Sequence, residues 1–241
     1  MGLFDLPAPL FSIPTALLSG LLPPAILILL WGMIGAVVGV ELYRLLSPQR
    51  RLTVLKADLR SAQQKLSSYD GDLDGAWPIM GRLLRLAFSR LALVLPAGIL
   101  SSLPLLALIV WLETVYGHSL PAAGQPVAAT TSSADFEAHW NGAAGNDVPH
   151  VIVTDRAGQT VADVAVGAPV DRIEKRRWWN LLFGNPLGYL PEEAAIDHVD
   201  LALPRQELID IGPHWLRGWE PIFFATLPLC AIPLSLFRRV Q

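Results

Sequence analysis

Few residues of this chain have the types and spacing that catalysis or metal binding requires. The five histidines show none of the H-x-H, H-x-x-x-H or H-E-x-x-H spacings that place two ligands on one metal. Asp197, His198 and Asp200 are neighbours, but no G-x-S-x-G motif accompanies them, and the single cysteine, Cys230, lies in an apolar run. The sequence therefore predicts a protein that is not an enzyme and holds no metal or other cofactor.

One acidic turn matches part of a calcium loop. Asp70, Asp72 and Asp74, followed by Gly75, fit the first half of the D-x-D-x-D-G pattern, whose oxygens bind calcium. Position twelve of that loop would be Gly81, where the pattern requires a glutamate. The favoured alternative is a turn whose acidic residues stabilise the N-terminus of the next helix.

The composition excludes an ordinary soluble protein. Of the 241 residues, 52% are hydrophobic and only 16% are charged, whereas soluble domains have about 25% charged residues. The apolar residues are also clustered, since residues 6–40 contain no charge. The formal net charge of −3 gives no indication of nucleic-acid recognition.

Three uncharged runs predict transmembrane helices, because a bilayer core of roughly 30 Å needs about 20 apolar residues. These runs cover residues 21–40, 91–112 and 221–237. Residues 1–20 have no basic start typical of a signal peptide, so we expect them to remain as an N-terminal extracytoplasmic segment.

The distribution of charge predicts the orientation of these helices. Residues 41–90 have a net charge of +4 and residues 113–220 a net charge of −8, and the tail at 238–241 adds Arg238 and Arg239. Basic segments beside membrane spans remain in the cytoplasm. We therefore expect the N-terminus outside, residues 41–90 and the C-terminus inside, and the location to be a bacterial inner membrane.

The basic segment at 41–90 has a helical pattern. Its apolar residues recur with the 3, 4, 3, 4 spacing of a coiled-coil seam at Leu52, Leu55, Leu59, Ala62 and Leu66. After the acidic turn, the pattern resumes at Ala76 and continues into the second span. This predicts a cytoplasmic helical hairpin of residues 50–68 against 76–90.

Two groups of small or polar residues within the spans have alternative roles. Gly32, Gly35 and Gly39 form a small-residue face that packs against another span or against a second copy of the chain. Ser101 and Ser102, between two prolines, either hydrogen-bond to the carbonyls that those prolines free or line a wet groove.

Arginines mark the lipid boundary of the second span. Arg82, Arg85 and Arg90 lie where its helix meets the headgroups. They either anchor the helix there or form a positive patch that attracts acidic client segments.

The remaining segment, 113–220, predicts a linker at 113–149 and a small periplasmic α+β domain at 150–220. The runs at 150–154 and 159–166 on either side of a DRAG turn indicate a β-hairpin, and the alternation at 195–203 indicates a third strand. We expect short helices at 133–140 and 172–183. Tryptophans suited to a membrane interface occur at Trp111, Trp178, Trp179, Trp215 and Trp219.

The order of these parts resembles that of the YidC/Oxa-type membrane insertase superfamily, above all its three-span archaeal and endoplasmic-reticulum relatives. The resemblance covers residues 21–116 and the last span, and it centres on the stretch LKADLRSAQQKLSSYDGDLDGAW and the proline-containing span after it. It implies a groove open to the cytoplasm and to lipid. The candidate groove residues are Arg44, Arg82, Arg85, Arg90, Ser101 and Ser102.

Two departures from the family pattern affect that comparison. Many members place a basic residue inside the first core span, and residues 21–40 contain none. The domain between the second and third spans also has no counterpart in the small relatives.

Three functional hypotheses follow. The first is an insertase-like membrane chaperone whose partners are the lipid bilayer and nascent membrane proteins or the ribosome. The second is a structural or assembly subunit of an envelope complex, in which the periplasmic domain binds a periplasmic or membrane protein. The third is an accessory subunit for signalling or transport.

Overall fold

The computed structural model describes residues 2–122, 124–142 and 148–238. The chain divides into two compact units. One, the sheet unit, comprises Met1–Trp31 and Leu106–Phe224, and the other, the hairpin unit, comprises Gly32–Leu105 and Ala225–Gln241. Arg239, expected in the basic tail, lies outside the described residues.

The α-helices are α1 (Ala8–Leu18), α2 (Pro24–Leu46), α3 (Gln49–Ser67), α4 (Leu73–Tyr116) and α5 (Trp219–Phe237). In the described chain, α2, α4 and α5 are long and apolar enough to cross a membrane. This confirms the prediction of three apolar helices of spanning length. Residues 1–20, expected to be a simple outer segment, include the short apolar helix α1.

Helix α4 is continuous over 44 residues, although it contains Pro78, Pro96 and Pro104. At 1.5 Å per residue its length is about 66 Å. That is more than twice the roughly 30 Å of a bilayer's hydrocarbon core. A single span therefore uses only part of α4, and the remainder extends beyond the hydrocarbon.

In the hairpin unit, α3 and the first part of α4 are joined by a short turn. The predicted seam is the least exposed stripe of α3, with Leu52 and Ala62 each 3% exposed and Leu55, Leu59 and Leu66 half-buried. On α4, Ile79, Leu83 and Leu86 are half-buried with similar spacing. The pattern fits two helices that share an apolar seam. That this seam is a true coiled coil stays a prediction.

An ion-pair cluster connects α2 and α5 in the same unit. The Nε of Arg238 lies 2.8 Å from Glu41 Oε1, and the Nη1 of Arg44 lies 3.1 Å from Glu41 Oε2. Glu41 is thus neutralised by two arginines near the C-terminal ends of both helices.

The sheet unit contains two three-stranded antiparallel sheets. One has the order β1 (Ala129–Thr131), β6 (His198–Leu201), β5 (Arg172–Glu174), and the other has β2 (Phe136–Asn141), β3 (His150–Asp155), β4 (Thr160–Ala165). Their shared core consists of aliphatic residues: Val151, Val153, Ala162, Val166, Ile173, Leu190, Ala194, Ile196, Val199, Leu201 and Leu203. The predicted β3–β4 hairpin and the third strand, β6, are confirmed.

Two predicted helices are wrong. Residues 133–140, expected to be helical, contribute most of β2, and β1 also lies in the stretch expected to be a linker. In β2, Phe136, Ala138 and Trp140 are half-buried and alternate with exposed residues, which is the period of a strand. Residues 143–147 of the expected linker lie outside the described chain.

The second wrong helix is the amphipathic one expected at 172–183. Its first residues pair with β6 as strand β5, and only a single 3-10 turn at Trp179–Leu181 is helical. The reason is long-range, because the Ile173 side chain is fully buried in the core between the strands. Pairing with β6 and core burial outweigh a local helical preference.

Trp219 supplies a polar contact at the start of α5. It is 2% exposed, and its Nε1 donates a hydrogen bond of 3.0 Å to Glu113 Oε2 of α4. Both residues belong to the sheet unit. The bond satisfies an indole N–H that would otherwise be buried without a partner.

We predict that Trp219→Phe lowers the free energy of unfolding by about 1–3 kcal/mol, because it removes the hydrogen bond from the buried indole to the charged Glu113 and leaves unfilled the space of the larger ring. The measurement is denaturant unfolding of the full chain in detergent, followed by circular dichroism. Trp215→Phe is the matched control, since Trp215 is 69% exposed. Equal losses for the two variants would contradict the assignment.

Candidate functional site

A cleft of about 650 Å³ lies between α3 and α4 in the hairpin unit. We call it the α3–α4 cleft. Its walls come from α3 and α4, and Tyr43 near the end of α2 also lines it. The lining residues are Tyr43, Lys56, Leu59, Arg60, Gln63, Leu83, Ala87, Arg90, Leu91 and Val94.

The cleft combines positive charge with apolar surface. Lys56, Arg60 and Arg90 are the cationic residues of its wall, and the described lining contains no carboxylate. Leu59, Leu83 and the other aliphatic residues supply the apolar part. A concave surface with one sign of charge concentrates ligands of the opposite sign. This arrangement suits a segment with both apolar and acidic side chains.

Two further cavities extend the same character along the hairpin. One, of about 220 Å³, is lined by Lys65 and Arg82 together with Pro78 and Ile79. The other, of about 370 Å³, is lined by residues from 50–58 of α3 and 89–93 of α4, among them two arginines and Asp58. Positive side chains thus accompany the α3–α4 interface over most of its length.

The predicted groove arginines are not all brought together. Arg90 lines the α3–α4 cleft and Arg82 lines the smaller neighbouring cavity. Arg85 is exposed and lies outside these cavities. Arg44 pairs with Glu41, so its charge is used within the protein.

The two serines of α4 bond to their own helix. The hydroxyl of Ser101 donates to the carbonyl of Gly98 at 3.0 Å, and that of Ser102 donates to the carbonyl of Ile99 at 2.8 Å. Pro104 frees the carbonyl of Leu100, four residues before it. One alternative expected the serines to bond to carbonyls that the prolines free. They do bond to carbonyls of the helix, but to those of Gly98 and Ile99.

The small-residue face of α2 is turned into the protein at two of its three glycines. Gly32 and Gly35 are buried, as is Ala36 beside them at 1% exposure. Gly39 is half-buried, and a Cβ built on it would meet no atom within 4 Å. Burial of the first two favours packing within the chain over pairing with a second copy.

The five predicted interface tryptophans fall into two classes. Trp111 and Trp219 are buried at 6% and 2% exposure, so they pack inside the protein and do not face lipid. Trp111 contacts the rings of Phe11 and Tyr116 at centroid distances of 5.6 and 6.1 Å. The prediction is wrong for these two because Trp111 packs in an internal aromatic cluster and the indole N–H of Trp219 bonds to the Glu113 carboxylate. The other three are exposed: Trp178, Trp179 and Trp215.

Sequence reasoning missed the polar residues of α3 that line the cleft. Lys56, Arg60 and Gln63 lie at positions i, i+4 and i+7, and so on one face of the helix. They flank the apolar seam on one side. A helical projection that considered the polar residues next to the seam would have found them.

Metal binding finds no support in the described residues, where no group of three or more His, Cys, Asp and Glu side chains could hold an ion. The calcium-like turn connects α3 to α4. Asp72 immediately precedes α4, and its carbonyl accepts N–H bonds from Gly75 and Ala76 at 3.0 and 3.3 Å. The side chain of Asp74 lies outside the description.

A polar cluster in the sheet unit lies just before α5. Glu207 accepts hydrogen bonds from Arg217 Nη1 at 3.1 Å and contacts His214 Nδ1 at 2.9 Å. The hydrogen bond from Arg217 is the main cause that lowers the pKa of the Glu207 carboxyl; desolvation opposes it, and the contact with His214 adds a smaller lowering. The cluster holds the chain in place before it enters α5.

Comparison with known proteins does not place the chain in a family. No family model matches it, and neither a curated protein nor a solved structure does.

Proposed function

We propose that this protein assists the insertion or folding of other membrane proteins, and that the α3–α4 cleft receives the client segment. The observation that carries the proposal is the cationic and apolar lining of this cleft, which reaches the start of the charge-free part of α4 at Leu91 and Val94. The order of parts that resembles the YidC/Oxa-type insertases supports the same function.

The physical task of such a protein is to lower a solvation barrier. Moving one charged residue to the centre of a bilayer costs about 2.5–3.5 kcal/mol on insertion scales. Leu83, Leu91 and Val94 offer an apolar surface to a client helix. Arg60 and Arg90 offer charge-assisted hydrogen bonds to acidic flanks of the same client. This work needs no covalent step and no nucleotide.

The proposal includes an orientation. The net charge of +4 on residues 41–90 and of −8 on 113–220 favours the hairpin in the cytoplasm and the strands in the periplasm of a bacterial inner membrane. Newly made clients would then reach the cleft from the side of the ribosome.

The orientation is tested with single cysteines in a Cys230→Ala background. Ser67→Cys at the end of α3 and Ser133→Cys before β2 are treated in intact cells with a maleimide that does not cross the inner membrane. We predict labelling at 133 and none at 67 until the cells are lysed. Labelling at 67 in intact cells would show the opposite orientation, and the cleft could then not receive clients from the cytoplasm.

The client role is tested by site-specific photocrosslinking. Gln63 and its neighbour Gln64 are both exposed, but only Gln63 lines the cleft. A photoreactive amino acid at position 63 should capture newly synthesised membrane proteins in cells, and at position 64 it should capture far fewer. The products are identified by mass spectrometry after a short pulse of isotope label.

A charge variant gives the matched control. Arg90→Gln should reduce the crosslinks from position 63 to clients with acidic flanks, whereas Arg85→Gln should leave them unchanged, because Arg85 lies outside the cavities. Crosslinks to one fixed partner, with no nascent clients, would contradict the proposal and favour the assembly-subunit hypothesis. Under that hypothesis, deletion of residues 118–218 should abolish binding of that partner.

A further inference from the structure

A short loop of the sheet unit displays large apolar side chains to the outside. The residues of this aromatic loop, Trp178–Phe183, include Trp178 at 81% exposure, Leu181 at 45% and Phe183 at 46%. No charged residue occurs from 178 to 191. Exposed apolar residues in such a cluster mark a surface that something covers.

The loop is held rigidly in this exposed form. Asn180, at its centre, is 2% exposed. Its Oδ1 accepts the N–H of Arg177 at 2.7 Å, its Nδ2 donates to the carbonyl of Lys175 at 2.9 Å, and its own carbonyl accepts the hydroxyl of Tyr189 at 2.7 Å. One buried amide thus fixes the turn that points its neighbours outwards.

The aromatic loop is connected to the N-terminal segment of the chain. The N–H of Phe4 donates to the carbonyl of Leu182 at 3.0 Å, and the rings of Phe4 and Phe183 lie 5.4 Å apart. The backbones approach closely here, since a Cβ on Gly2 would lie 2.3 Å from the N atom of Gly184. This packing holds the loop beside the start of α1.

Helix α1 in turn packs on the apolar helices of the same unit. Thr15 Oγ1 accepts a hydrogen bond of 2.9 Å from Trp31 Nε1 of α2, and the Phe11 ring lies 5.6 Å from Trp111 of α4. With 11 residues, α1 is about 16 Å long and too short to cross a bilayer. It also exposes large apolar residues: Leu10, Ile13 and Leu17.

We propose that the aromatic loop inserts into the interfacial region of the bilayer, in the leaflet nearest to the sheet unit, and anchors the strands there. The occupant is lipid, because contacts run without a break from the loop through Phe4 and α1 to helices that have the length and composition of spans. The exposed Arg176, two residues before the loop, suits anionic headgroups. A basic residue followed by Trp, Leu and Phe is typical of interfacial segments. This inference is independent of the client role.

The test uses the full chain, with Cys230→Ala, in vesicles of phosphatidylcholine and phosphatidylglycerol. An environment-sensitive fluorophore is attached at Leu182→Cys in the loop or at Ala157→Cys, the matched control in the exposed β3–β4 turn. Interfacial segments bury their apolar face about 5–10 Å into the boundary between headgroups and acyl chains. The probe at 182 should therefore show blue-shifted emission, and brominated lipids should quench roughly half or more of its fluorescence intensity. The probe at 157 should show neither effect.

Two results would overturn the proposal. Equal, water-like emission at both positions would show that the loop stays in solvent. Blue-shifted emission at 182 without quenching by brominated lipid would show that protein, either a partner or a second copy, covers the loop. Thermal unfolding of both labelled variants serves to verify that each retains the parent fold.

Discussion

The hydrocarbon core of a bilayer accepts neither an unpaired backbone polar group nor an unpaired charge, and the organisation of this chain depends on that constraint. Helix α4 shows it most clearly. Its first half has Arg82, Arg85 and Arg90, and residues 91–112 have no charge. Only the second part matches hydrocarbon, so the first part is left to pair with α3. The α3–α4 cleft lies at this division, since its lining on α4 runs from Leu83 through Arg90 to Val94.

The same constraint explains the polar contacts near the helix ends. Glu41 meets Arg44 and Arg238 in the hairpin unit. In the sheet unit, Trp219 donates to Glu113, and the hydrogen bond between Trp31 and Thr15 connects α2 to α1. Each contact gives a partner to a polar group that lies in or next to an apolar helix.

Much of the helical part could be predicted, because length and absence of charge are local properties of the sequence. The β3–β4 hairpin was predictable for a similar reason, since two runs rich in valine flank the turn-forming residues Asp155–Gly158. Strand β2 was missed because its alternation, at Phe136, Ala138 and Trp140, lies among small and polar residues that resemble a linker.

Other features depend on contacts between distant parts of the chain. Nothing local in RIEKRRWWNLLF indicates that Ile173 is buried between strands or that the Asn180 amide holds a turn. Trp111 lies at the end of an apolar run, as an interface residue would, but its packing against Phe11, Trp31 and Tyr116 buries it inside the protein. The cleft was predictable in part: Arg90 was named as a groove residue, whereas Lys56 and Arg60 required the helical projection of α3.

The division of α4 between lipid and water is the central claim, and hydrogen–deuterium exchange of the full chain in lipid nanodiscs measures it directly. The account predicts that amides within residues 91–112 stay protected throughout, while those between 79 and 89 exchange much faster because water reaches them. Equal protection along the whole of α4, or rapid exchange within 91–112, would contradict the claim.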